Sequence, residues 1–349
     1  MNFSELFTPA AVAAHWSETA SNRIPYIGSN FFPAMKKAGL DLAWIKGSKG
    51  LPISLMPSAF DAKATFRDRI GVSKVETEMP FFREGFKIKE KDRQELLRAL
   101  DSKDPYAQAV IANLFNDADQ LIAAADVVAE RERMALLFPV GGDMQIVFQA
   151  NGVDYSYNYD PNGAWKAANY KAVNTPWSTA ASADPVADII ERKEAISALT
   201  GANLRYLVMN STTAKLLYAT DAVKDRWLAT NGLGIGYLVP AEARSVVEAT
   251  TEMAIVIYDK QYKDESGVAH KFVPDGYVSM LPEGTIGNTW YGTTPEEADL
   301  REKCAIVNTG VAITQIKDEH PVNLNTFASE IVLPSFERMD DIAVLKVTA

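Results

Sequence analysis

The sequence has 349 residues, 47% hydrophobic and 23% charged, and is long enough to bury the core of two domains or of one elaborate domain. Its apolar runs, such as 134–140 and 254–258, are far shorter than the roughly 20 residues that cross a bilayer, and no secretory signal pattern opens the chain, so we expect it to stay in the cytoplasm where it is made. The net charge of −10 argues against tight nucleic-acid binding, which depends on clustered Lys and Arg, although it does not exclude a container.

The first 33 residues mix short apolar clusters with prolines and a glycine, which limits any helix to a short one at about Pro9–Thr19. Trp16, Phe31 and Phe32 are costly to leave in water and should pack against something. We therefore expect an arm that lies against other subunits.

Residues 51–89 are predicted to be extended on both sides of a charged break at 67–71. The second strand runs from Val72 through Pro80 to Ile88. Two long strands around a glycine-containing tip are typical of a projecting hairpin. Because such a hairpin has few residues of its own chain to pack against, we expect a neighbouring subunit to contact it.

The clearest helix is predicted to begin at 104–105, where Asp104 can cap the first free amides and Pro105 needs no amide donor. Apolar residues then recur with helical spacing. They are Ala107, Val110, Ile111, Leu114, Phe115, Ala118, Leu121, Ile122, Ala125 and Val128. The pattern ends at about Leu137, which gives about 30 residues and a rod of about 45 Å. A shorter helix is predicted before it, over 92–100.

Two strands at 144–149 and 153–159 flank the tight-turn signal Asn151-Gly152 and are predicted to form a hairpin. A loop is expected to continue to Ala183. Asp184 and Pro185 then start a helix that runs to about Leu199.

The remaining chain is predicted to alternate short strands and helices in a mixed α/β domain. The predicted elements are a strand at 204–209, helices at 211–219 and 222–229, a buried strand at 253–258, and final strands at 330–333 and 342–347. The two final strands are expected to return to the sheet beside the long helix.

The sequence shows no constellation of residues that would make a catalytic, cofactor-binding or metal-binding site. His15, His270 and His320 are isolated and lack metal-ligand spacing, so we interpret each as a surface or packing residue. The single cysteine, Cys304, cannot form an internal disulfide and is interpreted as a buried, inert thiol in a reducing compartment. We predict no catalytic residue, no cofactor, no metal and no enzyme activity.

Two kinds of sequence pattern resemble functional motifs, a glycine-rich run and pairs of acidic residues. The glycine-rich run 231–236 follows a helix, whereas a dinucleotide fingerprint follows a strand and opens a helix, so we interpret it as a flexible loop. The acidic pairs at 340–341 and 296–297 are interpreted as solvated turns and helix starts, because Thr294 and Pro295 resemble a capped first turn.

Residues 253–262 read Met-Ala-Ile-Val-Ile-Tyr-Asp-Lys-Gln-Tyr, followed by Gly267-Val268 and by Phe272, Pro274 and Asp275. This buried strand with its Gln-Tyr, Gly-Val and Phe-x-Pro-Asp series resembles the lambda-type major capsid protein E family of tailed phages. Softer matches lie at 184–189, 206–209 and 328–349, and the resemblance covers most of the chain after about Ile27.

The resemblance implies an α+β chain with the Hong Kong 97 phage capsid fold. Its parts would be an N-terminal arm at 1–33, an extended hairpin loop at 51–89, a peripheral domain at 90–200 and 319–349 with a spine helix at about 104–137, and an axial domain at 201–318. Some relatives join neighbours covalently through Lys and Asn, which would point to Lys63 or Lys74 and Asn323 or Asn325. Lambda-type members look to lack this chemistry, and we do not predict it.

The function that the resemblance implies is that of a major capsid protein. Copies would form the hexamers and pentamers of an icosahedral head that encloses double-stranded DNA without sequence-specific binding, in the virion and without a membrane. Scaffolding, portal and decoration proteins would be its partners, and assembly would take place in the host cytoplasm. An encapsulin-like compartment of the same fold is the alternative, and an enzyme or binding protein with an unrecognised site is a third possibility.

Overall fold

The computed structural model describes residues 7–19, 25–46, 73–92, 94, 105–150, 152–231 and 238–349. Within them the helices are α1 (Pro9–Thr19), α2 (Gly28–Phe31), α3 (Pro105–Leu137), α4 (Ala164–Asn169), α5 (Pro185–Thr200), α6 (Ser211–Tyr218), α7 (Asp221–Asn231), α8 (Pro240–Thr251) and α9 (Pro295–Asp299). The strands are β1 (Ala34–Lys36), β2 (Asp41–Lys46), β3 (Ser73–Glu78), β4 (Phe81–Ile88), β5 (Gln145–Ala150), β6 (Val153–Asn158), β7 (Tyr170–Ala172), β8 (Leu204–Met209), β9 (Ala254–Ile257), β10 (Gln261–Lys263), β11 (Ala269–Lys271), β12 (Tyr277–Pro282), β13 (Asn288–Tyr291), β14 (Cys304–Val307), β15 (Val311–Lys317), β16 (Leu324–Ser335) and β17 (Ala343–Lys346).

The chain divides into two compact units, each built from separate stretches of sequence. Unit 1 comprises Met1–Leu42, Glu76–Arg133 and Asn288–Ser335, and unit 2 comprises Ala43–Val75, Met134–Gly287 and Phe336–Ala349. These bounds differ from the predicted boundaries at 200 and 318. The assignment of an arm, a hairpin loop, a peripheral domain and an axial domain stays a prediction.

Unit 1 is organised around β16, a strand of 12 residues in a sheet of order β1-β13-β16-β15-β14. The first part of β16 pairs with β15 on one side and with β4 on the other, and its last four residues pair with β13. Nearly every β16 side chain is buried, as expected of a central strand covered on both faces.

Helix α3 spans 33 residues, or about 50 Å at 1.5 Å per residue. It matches the predicted helix in both existence and extent. Ala118, Ile122 and Ala125 on α3 pack with Ile313 of β15 in the core of unit 1, so the predicted inward face of the helix is confirmed.

Helix α1 has the predicted bounds and packs within unit 1. Val12 and Trp16 are buried in the same core as α3, and the Trp16 indole donates to Asn308 Oδ1 at 3.3 Å. Asn308 Nδ2 in turn donates to Asp126 of α3 at 3.1 Å. Within the described residues the aromatic anchor of this segment is therefore buried in its own chain, and the expectation that the segment lies against other subunits stays a prediction.

Unit 2 holds a mixed sheet of order β7-β17-β12-β8-β9. As predicted, Asp184 caps α5, accepting from the Ala187 amide at 3.1 Å, and the helix ends at Gly201, which has φ 75°. Asn210 caps α6 in the same way, with the Thr213 amide at 2.8 Å. The hairpin β5–β6 is also confirmed, with Gly152 at φ 79° in its turn.

Three expectations about strands were wrong. The predicted single strand from Val72 to Ile88 is interrupted at Met79 and Pro80, so that β3 pairs with β2 while β4 pairs with β16. Strand β4 thus has its partner in its own chain. Strand β17 lies between β7 and β12 in unit 2 and not in the sheet beside the long helix, because apolar alternation signals burial without specifying the sheet.

The sequence also missed three helices, of which α2 is the shortest. The predicted loop before Ala183 contains α4 and β7; Asp160, four residues ahead of the helix, caps α4 by accepting from the amides of Trp165 and Lys166. Helix α8 was not anticipated either. The first strand of the predicted hairpin loop, most of the predicted helix 92–100 and the glycines after Asn231 lie outside the described residues.

Candidate functional site

The three histidines are dispersed, as predicted. His15 lies 3.1 Å from Asp119 in unit 1, and His270 lies 2.8 Å from Asp264 in an exposed hairpin of unit 2. His320 is exposed beside Pro321. Within the described residues, no group of three or more His, Cys, Asp or Glu side chains could hold a metal ion.

Cys304 is half-buried in β14, not fully buried as predicted. Partial burial raises the pKa of its thiol, an effect to which the nearby Glu297 and Glu296 carboxylates add. The thiol is therefore held in its protonated form, which is the less reactive one.

The acidic pairs occupy helix starts, but they are less solvated than predicted. Thr294 accepts from the Glu297 amide at 3.3 Å and so caps α9, as expected. Glu296 and Asp341 are nonetheless buried, because ion pairs with Arg83 and Arg338 offset their loss of hydration.

A surface cavity of about 400 Å3 lies in unit 1 beside α9. Two of its charged groups, Arg83 and Glu296, are engaged with each other. Arg83 pairs with Glu296, whose second oxygen accepts from Ser329 at 3.0 Å, and the Arg83 guanidinium lies 4.7 Å from the centre of the Phe81 ring. An arginine whose charge is neutralised by its own ion-pair partner offers a substrate little electrostatic assistance.

A smaller cavity, in unit 2, is lined by polar groups at the start of α4. Asp160 is committed to capping the helix, and Lys166 pairs with Asp143 at 2.9 Å. These contacts are those of a structural helix cap, and they bring no nucleophile and base together.

The most unusual electrostatic feature lies where α3 meets the sheet of unit 1. Glu130, Glu132 and Arg133 on α3 and Glu330 on β16 are all buried. Glu130 accepts from the Gly28 amide at 3.1 Å and from Arg133 at 3.4 Å. None of these residues was singled out from the sequence, although the spacing of Ala118, Ile122, Ala125 and Ala129 extends to position 132 on the inward face of the helix.

Unit 2 also presents surface that the described part of the chain leaves exposed. Strands β10 and β11 pair only with each other among the described strands, and every residue of β11 is exposed. Tyr262 packs on His270 and Phe272, while Val268 near the turn is 54% exposed. An isolated two-stranded hairpin is marginally stable in water, so contacts beyond it would stabilise it. No helix within the described residues is long and apolar enough to cross a membrane.

Comparison with known proteins gives one family and a set of structures with the same fold. The family model described as phage major capsid protein E matches residues 8–347. No curated protein matches the chain.

Three solved structures illustrate the likeness in fold. A protein assigned as the capsid protein of an Escherichia coli CFT073 prophage is 13% identical, with a TM-score of 0.62, and the match covers 98% of this chain and 99% of that one. A phage-related protein from Bordetella bronchiseptica RB50 is 14% identical, with a TM-score of 0.54 and coverage of 95% and 96%. A chain of the capsid of cyanophage A-1(L) is 12% identical, with a TM-score of 0.54 and coverage of 93% and 92%.

Proposed function

The chain belongs to the phage major capsid protein E family, and we propose that copies of it form the hexamers and pentamers of an icosahedral head that encloses double-stranded DNA. It is a capsid shell protein of a phage virion.

The observation that carries the proposal is the extent of the family match. It begins at residue 8 and ends at residue 347 of a chain of 349 residues, so both compact units fall within it. A match of that extent covers the whole architecture and not one shared module.

The charges and surfaces of the chain are consistent with a shell wall. A net charge of −10 disfavours tight binding of DNA, which a container must hold without immobilising. Specific subunit contacts bury about 1,200–2,000 Å2 in total, and closed symmetric assemblies use the same patches in every copy. The exposed hairpin β10–β11 is one element able to supply such a patch.

We further propose that a scaffolding protein and a portal protein take part in assembly in the host cytoplasm, and that a decoration protein binds the finished head. Membership in a family of phage capsid proteins supports these three kinds of partner. Co-purification from infected or induced cells would identify each of them.

Expression of the full chain, followed by sedimentation velocity and electron microscopy, tests self-assembly. Capsomers or closed shells are expected as the protein concentration rises. A monomer that persists at high protein concentration, both alone and in the presence of the scaffolding and portal proteins, would contradict the proposal.

The content of particles isolated from the natural host separates a phage head from an encapsulin-like compartment. Heads are expected to yield double-stranded DNA protected from nuclease. Particles that hold an enzyme and no DNA would favour the compartment.

A further inference from the structure

Two glutamates at the contact between α3 and β16 are buried without a counter-charge of their own. Glu132 is 0% exposed and Glu330 is 1% exposed. All four of their carboxyl oxygens lack a hydrogen-bond partner among the described residues. An unpaired ionised carboxylate in such a place would cost many kcal/mol, so a neutral form is strongly favoured.

The one buried arginine nearby is engaged elsewhere. Arg133 donates to Thr289 Oγ1 at 2.8 Å, to Glu130 at 3.4 Å and to the Tyr291 hydroxyl at 3.5 Å. Glu130 is its acidic partner and also accepts from a backbone amide. The Arg133–Glu130 pair is therefore satisfied without the other two acids.

Counting the buried charges shows the imbalance. Three buried glutamates, Glu130, Glu132 and Glu330, carry −3 if ionised, and Arg133 carries +1, which leaves −2. Two protons restore neutrality, and the two acids without hydrogen-bond partners are the ones placed to hold them.

We propose that the buried pair Glu132 and Glu330 holds two protons in the folded shell subunit, and that a rise in pH, which removes these protons, loosens the contact between α3 and β16. The inference concerns folding of unit 1 and does not depend on how copies assemble. The pH at which the contact between α3 and β16 loosens is therefore set by residues inside the subunit.

The electrostatics of the surroundings agree with this assignment. Burial raises the pKa of Glu132 well above its ordinary value, and the charge of Glu330 raises it further. Burial likewise raises the pKa of Glu330, as does the charge of Asp126. Arg133 opposes both shifts but does not overcome them.

The remaining charged and titratable groups around the pair come from three directions. They are Asp126, Glu130, Arg131 and Arg133 on α3 and Tyr291 on β13. From the third direction, β4, the residue opposite Glu330 is the apolar Phe82. Tyr291 is itself buried, and burial raises the pKa of its hydroxyl, so it adds no negative charge. A metal ion is a poorer alternative to protons, because within the described residues no group of three such ligands surrounds a common point.

The direction of the pH effect follows from linkage. A carboxyl with a raised folded-state pKa holds its proton when the unfolded chain has lost it, so its contribution to stability is full below the ordinary value of 4.5 and is lost as the pH rises through the folded-state pKa. Each such group changes the unfolding equilibrium constant by up to about tenfold per pH unit in that range.

Glutamine has the shape of a protonated glutamate and cannot lose a proton, which gives the test. Chemical unfolding of the full chain would be followed from pH 5 to pH 9 for the wild type and for Glu132→Gln, Glu330→Gln and the double variant. The unfolding constant of the wild type relative to the double variant is expected to rise by at least tenfold over this range. Glu84→Gln, at an exposed position of β4, is the matched control and is expected to give a flat ratio.

A ratio for the double variant as flat as that of the control would overturn the proposal. If the double variant does not fold, infrared spectra of wild-type protein carrying carbon-13 glutamate decide instead. A protonated-carboxyl band that persists at pH 7, where exposed glutamates are ionised, is expected. Its absence would equally overturn the proposal.

Discussion

Substitution of Ala118 by aspartate tests how α3 is seated in unit 1. The Ala118 side chain is 0% exposed and packs with Ile122 of the same helix and with Val12 and Ile313. An ionised carboxylate placed there without a partner costs about 3–5 kcal/mol, and the added volume costs about 1–3 kcal/mol more. We expect a loss of at least about 4 kcal/mol, which is most of the stability of a domain at the lower end of the typical range of about 5–15 kcal/mol.

The assay is urea unfolding followed by tryptophan fluorescence, together with the soluble yield at 37 °C. Ala124→Asp is the matched control, since Ala124 is exposed on the same helix and carries the same difference in helix propensity. We expect the control to change the free energy of unfolding by less than about 1 kcal/mol. Equal stability of the two variants would refute the inward orientation of this face of α3.

Three further substitutions probe other parts of the fold. Trp16→Ala removes the anchor of α1 and should lower the free energy of unfolding by about 3–5 kcal/mol in urea titrations, whereas a loss under 1 kcal/mol would mean that α1 is not docked. Gly85→Ala places a Cβ 2.6 Å from the Thr326 carbonyl oxygen, so the free energy of unfolding should fall by about 1–3 kcal/mol and the amides of β4 should exchange faster. Unchanged amide exchange would disprove the close approach of β4 and β16. Asp184→Ala should lower the free energy of unfolding by about 1–2 kcal/mol at pH 7. Although burial opposes ionisation, hydrogen bonds from Arg226 and Ala187 lower the pKa of Asp184, so its stabilising effect is present above about pH 4 and should fade below it. A stability difference between variant and wild type that does not fade at low pH in thermal melts would contradict this.

Local signals in the sequence predicted local structure well. Helix α3 is marked by apolar residues at helical spacing and by prolines near both ends, and α5 is marked by Asp184 at its start. These features act within a few residues of chain, so they can be recognised without knowledge of the partner. Helix α8 begins at Pro240, but the residue before it, Val239, has no polar side chain to cap the helix, so its start signal is weak.

Pairing between distant strands could not be predicted in the same way. Nothing near Phe81 or Ile88 specifies that β4 pairs with residues about 240 positions later, and nothing in β17 distinguishes the two sheets. Those choices depend on the complementarity of whole surfaces. The family resemblance supplied the overall fold where these residues alone did not.

The candidate site shows a different kind of limit. Glutamate is rarely buried, so composition favours a solvated role for Glu132 and Glu330. Helical spacing places position 132 on the inward face, but the partner in β16 becomes visible only once the strand is packed against the helix. The pattern identified the face, and the structure identified the pair.

The pairing of β4 with β16 also determines when the sheet of unit 1 can form during synthesis of the chain. Ile88 lies opposite Leu324, so 236 residues must be synthesised after one partner before the other exists, which takes roughly 12 to 47 seconds at about 5–20 residues per second. The sheet of unit 2 can form only later, because β17, which lies between β7 and β12, is synthesised after β16. Neither sheet can close on a nascent chain that is still short of these strands.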